Sequence, residues 1–174
     1  MNMQKRLNKL LEQKIYNAIS DRLIKHIKPN LRLNEVNDID LSLVKKLKST
    51  YGIGGIILDV DETLRKDMMN IPNSNKDWIE FMKQEFKVII LSNGFDVSVK
   101  GFVNEKGIEY IGFARKPLRK NLLEACNRMG LEPENVLVIG DSIINDIYGA
   151  KRCGMFTAIV NSVREETRDI DIAR

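Results

Sequence analysis

The chain has 174 residues, of which 43% are hydrophobic and 30% charged, and its net charge is +4. That length suits one domain, or one domain with an appendage, and is enough to bury a core. No apolar run reaches the roughly 18 residues of a membrane span, and the charged N-terminal stretch lacks the short apolar core of a secretory signal, so the expectation is a cytoplasmic protein.

Residues 3–27 place Met3, Leu7, Leu10, Leu11, Ile15, Ile19, Leu23 and Ile27 three or four apart, the spacing of an amphipathic helix. Residues 1–28 hold seven Lys/Arg against two Asp/Glu, a net +5, which leaves the remainder at −1. The sequence thus divides into a basic helical segment, 1–28, and a body, 29–174. An anionic partner for the segment, lipid headgroups or nucleic acid, stands beside the plainer reading of a solvated helix face. The run "KPN" at 28–30 ends this helix, because the residue before a proline leaves the α region.

"LRLNEVNDID" reads as irregular. "LSLVKKLKSTYG" reads as a short helix, capped by Asp40 or Ser42 and stopped at Gly52. A repeating rhythm then begins. "GIILDV", "KVIILSN", "EYIGFA", "NVLVIGD" and "MFTAIV" are short apolar runs of strand character. Between them, "NKDWIEFMKQEF", "SVKGFVNEKG", "PLRKNLLEACNRMG" and "SIINDIYGAKRCG" have helical spacing, the third opening at Pro117 and closing at Gly130. Apolar runs of this length alternating with helices predict a three-layer α/β sandwich around a parallel sheet of about five strands. Cys126 and Cys153 stand far apart with no metal-ligand partners and read as reduced thiols. The lone His26 cannot build a His-rich metal site.

In an open α/β sheet the ligand site lies beyond the carboxyl ends of the strands. The residues at those ends are chemically loaded: Asp59, Asp61 and Thr63 after the first run, Ser92, Asn93 and Gly94 after the second, Arg115 and Lys116 after the third, Gly140, Asp141, Ser142 and Asp146 after the fourth. Each piece alone has a plain explanation, such as a helix cap, a turn or a surface lysine. Together they form one site of acids, a hydroxyl and an ammonium. Such acids repel one another unless a cation sits among them, hard oxygen ligands suit Mg²⁺, and Mg²⁺ with a lysine and a hydroxyl is a chemistry for holding phosphate.

"DVDET", "LSN", "RKP" and "GDSIIND" resemble the four motifs of the haloacid dehalogenase (HAD) superfamily in its phosphatase branch. Longer stretches, "KPNLRLNEV", "LVKKLKSTYGIGGIILDVDETL" and "ARKPLRKNLLEACNRMGLEPENVLVIGDSIINDIYGAKRCGMFTAIV", resemble the YqeG-like, phosphatidylglycerophosphate phosphatase-like group of subclass IIIA type. Glu62 departs from that group, where many members carry Asn. The resemblance implies Asp59 as a nucleophile that becomes an aspartyl-phosphate and Asp61 as the acid and base. It implies Ser92, Asn93 and Thr63 as phosphate-binding residues, Thr63 also steadying Asp61, and Lys116 as the neutralising cation. It further implies Mg²⁺ on Asp59, the Asp61 carbonyl and Asp141, with Asp146 orienting Lys116 or a metal-bound water. Residues two apart in an extended segment point the same way, so Asp59 and Asp61 can face one phosphorus.

Residues 64–91 and 93–115 are too few to hold a cap domain besides a helix and a strand each, so an open site is expected, suited to large substrates. The leading substrate is phosphatidylglycerophosphate at the inner membrane face, with residues 3–27 docking there peripherally. The alternatives are phosphorylated nucleic-acid ends, nucleotides or phosphoproteins. A signalling receiver shares the acids, hydroxyl and lysine but places its acid pair first and its phosphorylated Asp later. A ribosomal-RNA-binding protein on the same fold is the remaining class.

Overall fold

The structure is a computed structural model, and it describes residues 14, 17–18, 21–22, 25–66 and 69–161. The expected helix over 3–27 and the tail after 161 lie largely or wholly outside the described residues.

The body is a six-stranded, all-parallel sheet with helices on both faces. In chain order the elements are β1 (Leu31–Leu33), a 3₁₀ turn (Val36–Asp38), α1 (Leu41–Tyr51), β2 (Gly55–Leu58), α2 (Asn73–Glu85), β3 (Lys87–Leu91), α3 (Val97–Glu105), β4 (Glu109–Ile111) and α4 (Arg119–Met129). After a 3₁₀ turn at Pro133–Asn135 come β5 (Val136–Gly140), a π-helical segment (Ile143–Tyr148), α5 (Gly149–Lys151) and β6 (Phe156–Val160). The strand order is β1-β6-β5-β2-β3-β4.

Alternation along the central strands builds two cores. Ile56, Leu58, Val88, Ile90, Leu137 and Ile139 face one side, where they meet Trp78, Ile79 and Met82 of α2. Ile57, Ile89, Leu91, Val136 and Val138 face the other, where they meet Leu122, Ala125, Cys126 and Met129 of α4. A strand buried on both faces carries no polar side, which is why these runs are apolar throughout. At about 1.5–3 kcal/mol per buried aliphatic side chain, they dominate the sheet's stability.

Both ends of α1 and the C-terminal end of α4 agree with the sequence. Asp40 caps α1, accepting from the Leu43 N–H at 2.9 Å. Gly52 and Gly130 end α1 and α4 at φ 65° and 64°, left-handed values that glycine adopts without steric cost.

Three expectations are corrected. "LRL" is not irregular: it is the edge strand β1, paired in parallel with β6 from Leu31–Ala158 to Leu33–Val160, so the sheet has one strand more than the rhythm implied. Three residues bounded by turn formers give no periodic signal; the partner strand supplies the order. Pro117 does not open α4, which starts at Arg119; it is joined to Lys116 through a cis peptide bond. "SIINDIYGAKRCG" is not one α-helix. The Ile147 N–H reaches back to the Ser142 carbonyl at 3.2 Å, a π-type turn of the kind common at functional sites.

Asn30 locks β1 to β6. Its carboxamide oxygen accepts from the Thr157 N–H at 2.9 Å and the Thr157 hydroxyl at 3.0 Å, and Thr157 is wholly buried. Asn30→Ala leaves those buried donors without that acceptor and is expected to lower unfolding stability by about 1–3 kcal/mol, read by urea denaturation with an unchanged m-value.

Candidate active site

The chain runs from β2 to β3 and β4 on one side, then returns to place β5 on the other side of β2. The crevice where the order reverses is where α/β sheets bind ligands, and Asp59 and Asp141 come directly after the two strands that border it. Asp59 is fixed by the bond from its N–H to the Ile139 carbonyl at 3.0 Å, and Ser92 by its N–H to the Ile111 carbonyl at 2.9 Å.

An open cleft of about 310 Å³ is lined by Asp59, Asp61, Glu62, Ser92, Asn93, Gly94, Lys116, Asp141, Ser142, Asn145 and Asp146. The site residues that the family resemblance assigns therefore all reach one cleft, with the exception of Thr63. Thr63 is buried beneath it, and its hydroxyl donates to Asp59 Oδ2 at 3.2 Å rather than reaching Asp61.

Lys116 is the hub. It is 7% exposed, and its Nζ donates to Asp59 Oδ1 at 2.7 Å and to Asp146 Oδ1 at 2.5 Å. Burial alone would lower its pKa, but the charges of Asp146 and Asp59 outweigh that and raise it, so it remains an ammonium. Asn93 sets its backbone: the Asn93 carboxamide accepts from the Lys116 N–H at 2.6 Å and donates to the Lys116 carbonyl at 3.2 Å.

Asp146 is 1% exposed. Its Oδ1 is held by Lys116 and its Oδ2 by the Ser142 N–H at 3.1 Å. A Cβ on Gly140 would fall inside this carboxyl group, so a side chain there is excluded. Burial and then the charge of Asp59 push the Asp146 pKa up, against Lys116. Burial, followed by the charges of Asp59 and Asp146, pushes Asp141 up to about 7.

Carboxylate oxygens of Asp59, Asp141 and Asp146 lie within 4.8 Å of one another. Three carboxylates against one ammonium leave two negative charges in excess, which a divalent cation would neutralise. An all-oxygen donor set suits a hard cation such as Mg²⁺. Asp146 is fully buried, whereas Asp59 and Asp141 are only part-buried at the cleft, so Asp59 and Asp141 are the carboxylates better placed to reach an ion.

The Asp61 carboxylate, also at the cleft, accepts from Arg65 Nε at 2.7 Å. Sequence reasoning did not single out Arg65 or Asp96, whose Oδ2 accepts from Arg65 Nη2 at 2.8 Å. The signal available was an arginine placed directly after a buried leucine. The structural duty of Gly140 was missed as well.

A family model described as haloacid dehalogenase-like hydrolase matches residues 70–154. A probable phosphatase, YqeG, of Bacillus subtilis is 39% identical over 118 residues, covering 67% of this chain and 68% of the relative. A glyceraldehyde 3-phosphate phosphatase of Methanothermobacter thermautotrophicus is 29% identical over 109 residues, covering 56% of this chain and 48% of the relative. A solved HAD family enzyme from Bacteroides thetaiotaomicron, in complex with magnesium and inorganic phosphate, superposes with a TM-score of 0.53 at 14% identity, over 64% of this chain and 96% of that one; this likeness is one of fold. The acid-lined crevice at the reversal of strand order and the sequence relatives lead to the same conclusion: the chain belongs to the haloacid dehalogenase-like hydrolases, in their phosphatase branch.

Proposed function

We propose that the chain hydrolyses phosphomonoesters through an aspartyl-phosphate on Asp59, with Mg²⁺ held by Asp59, Asp141 and the Asp61 carbonyl. The observation that carries this reading is the Lys116 ammonium bonded to Asp59 at the floor of the cleft. A carboxylate so held is oriented for attack, and the same ammonium offsets charge on an incoming phosphoryl group. In the first step an Asp59 oxygen bonds to phosphorus, the ester P–O bond breaks, and Asp61 gives its proton to the leaving oxygen. In the second, Asp61 takes a proton from water as the water oxygen bonds to phosphorus, and the Asp59–phosphorus bond breaks to release phosphate. Ser92 and the Asn93 N–H hold phosphoryl oxygens, and Thr63 steadies Asp59. Mg²⁺, typical of this family, supplies charge neutralisation when bound.

For the substrate, we favour phosphatidylglycerophosphate at a membrane face. No helix among the described residues is long and apolar enough to cross a membrane. The rim, however, is apolar and basic. Phe95, Val97, Phe113 and Leu118, all in or beside the loops after β3 and β4, are exposed. Phe95 and Phe113 stack at 5.6 Å, and Lys100 Nζ lies 5.4 Å from the Phe95 ring. Arg115 is exposed on the same loop as Phe113. Exposed apolar side chains mixed with cations favour an anionic lipid surface, and the net +5 of residues 1–28 adds to the attraction. Among the described residues each crossover from β2 to β4 holds one helix, so no cap closes the cleft.

Asp59→Asn is expected to lower kcat by roughly 10³-fold or more, because nucleophile and metal ligand go together. Asp61→Asn is expected to slow turnover while a phosphoenzyme accumulates, seen by acid-quench labelling. Full hydrolysis by the Asp59 variant would reject the nucleophile.

Metal binding should depend on pH. Asp141 keeps its proton up to about pH 7, so Mg²⁺ affinity should fall about tenfold per unit as pH drops below 7 and level off above it. Linkage has the matching sign. Raised carboxyl pKa values mean that the metal-free protein loses stability as pH climbs from the ordinary carboxylate range towards 7. The rise in melting temperature on adding Mg²⁺ should therefore be larger at about pH 8 than at about pH 6, and should shrink in Asp141→Asn.

The substrate assignment is tested with vesicles. Phe113→Asp, or removal of residues 1–28, should lower activity on phosphatidylglycerophosphate in anionic vesicles several-fold, with the deficit narrowing at high salt, while para-nitrophenyl phosphate hydrolysis is unchanged. Preference for glyceraldehyde 3-phosphate, nucleotides or 5′-phosphorylated oligonucleotides over the lipid would overturn it.

A further inference from the structure

Arg65 comes directly after the fully buried Leu64 and is itself only 5% exposed. A buried guanidinium requires partners, and Arg65 has two on different loops. Its Nε donates to Asp61 Oδ1 at 2.7 Å, and its Nη2 to Asp96 Oδ2 at 2.8 Å. Asp96 is itself immobilised as the N-cap of α3: its Oδ1 accepts from the Ser98 N–H at 2.8 Å, the Val99 N–H at 3.2 Å and the Ser98 hydroxyl at 2.6 Å. These bonds, the one from Ser98 first and that from Arg65 next, hold its pKa well below the usual carboxylate range. The Arg65 backbone closes the turn that carries Asp61, its carbonyl accepting from the Glu62 N–H at 2.8 Å. Asn75 fixes the same turn from α2, donating to the Leu64 carbonyl at 2.7 Å.

Arg65 is therefore a strut from the α3 cap to one oxygen of Asp61. Without it, the Asp61 side chain, 49% exposed at the cleft, would rotate among staggered conformers. Proton transfer needs the carboxyl group within about 2.6–3.2 Å of the atom it serves, and a misplacement of about 1 Å can cost about 10²-fold. We propose that Arg65, anchored on Asp96, is a positioning residue that holds the Asp61 carboxyl group for proton transfer to the leaving oxygen and from water. The proposal rests on the reading of Asp61 as the acid and base. A lysine at this position would carry the charge but not the fork that spans two carboxylates.

The test compares two esters. The para-nitrophenolate group leaves without needing a proton, whereas the alkoxide of β-glycerophosphate needs one. In Arg65→Gln, kcat on β-glycerophosphate should fall about 10–100-fold, with KM changed less than about threefold. The aryl ester should suffer less in its first step, so the aryl-to-alkyl ratio of kcat/KM should rise and phosphoenzyme should accumulate on the aryl ester. Arg65→Lys should recover part of the loss. Asp96→Asn, which retains a capping acceptor and removes the charge opposite Arg65, should shift the ratio in the same direction by less; it carries the test if Arg65→Gln does not fold by thermal melting. Equal losses on both esters with no recovery in Arg65→Lys, or wild-type kcat in a folded Arg65→Gln, would overturn the positioning role. Asp61→Asn is the control. If it retains turnover, the reading of Asp61 fails; if it is inactive while Arg65→Gln is normal, only the positioning role of Arg65 fails.

Discussion

Everything at the carboxyl end of this sheet is arranged around one buried ammonium. Lys116 sits between Asp59 and Asp146 at 2.7 and 2.5 Å, in a position where an unpaired charge would be strongly unfavourable. Its neighbours depend on it equally, because Asp59, Asp141 and Asp146 lie too close together to share the pocket as bare carboxylates. The surrounding backbone serves this arrangement. Asn93 clamps the Lys116 main chain, the missing side chain of Gly140 leaves room for the Asp146 carboxyl group, and the π-helical turn after Ser142 brings Asp146 back over the strand end. Lys116 still leaves an excess of negative charge, so the pocket is electrostatically incomplete by about one divalent cation, and the raised pKa of Asp141 expresses the same imbalance in protons.

The site has two parts with different physics. Its floor is buried, densely bonded and held by the ends of four neighbouring strands, β5, β2, β3 and β4, which gives the fixed geometry that bond-making at phosphorus requires. Its wall and rim are exposed. Asp61 stands at the cleft on the Arg65 strut, and Phe95 and Phe113 stack at the loops beyond. Phe113 and Arg115 have φ of 50° and 54°, left-handed values uncommon for residues with a side chain, and such strain tends to collect where a loop has a task besides connection. With no cap over the cleft among the described residues, these loops form its exposed rim.

Much of this was legible in the sequence. Period-two burial on both faces makes a strand an apolar run, so β2, β3, β5 and β6 stand out, and the helices between them fix a parallel arrangement. The cleft residues were legible for a related reason: Asp59, Ser92 and Asp141 lie just beyond strands that read clearly, Lys116 and Asp146 follow within a few residues of β4 and β5, and each is an acid, a hydroxyl or an ammonium. β1 was hidden because three residues carry no period and its order comes from Asn30 and Thr157, far apart in the chain. The π-helical turn was hidden because its pattern of apolar residues is that of an ordinary helix, and the departure answers to the burial of Asp146.

The sequence by itself determined the fold class and the order of the chemical groups, because local periodicity and spacing are properties of neighbours along the chain, and its four motifs carried the resemblance to the family. Only the tertiary structure decided how those groups are paired. That Lys116 bonds Asp59 and Asp146, that Thr63 supports Asp59 rather than Asp61, and that Arg65 ties Asp61 to Asp96 are consequences of side chains converging from separate elements, where burial turns proximity into obligatory partnership.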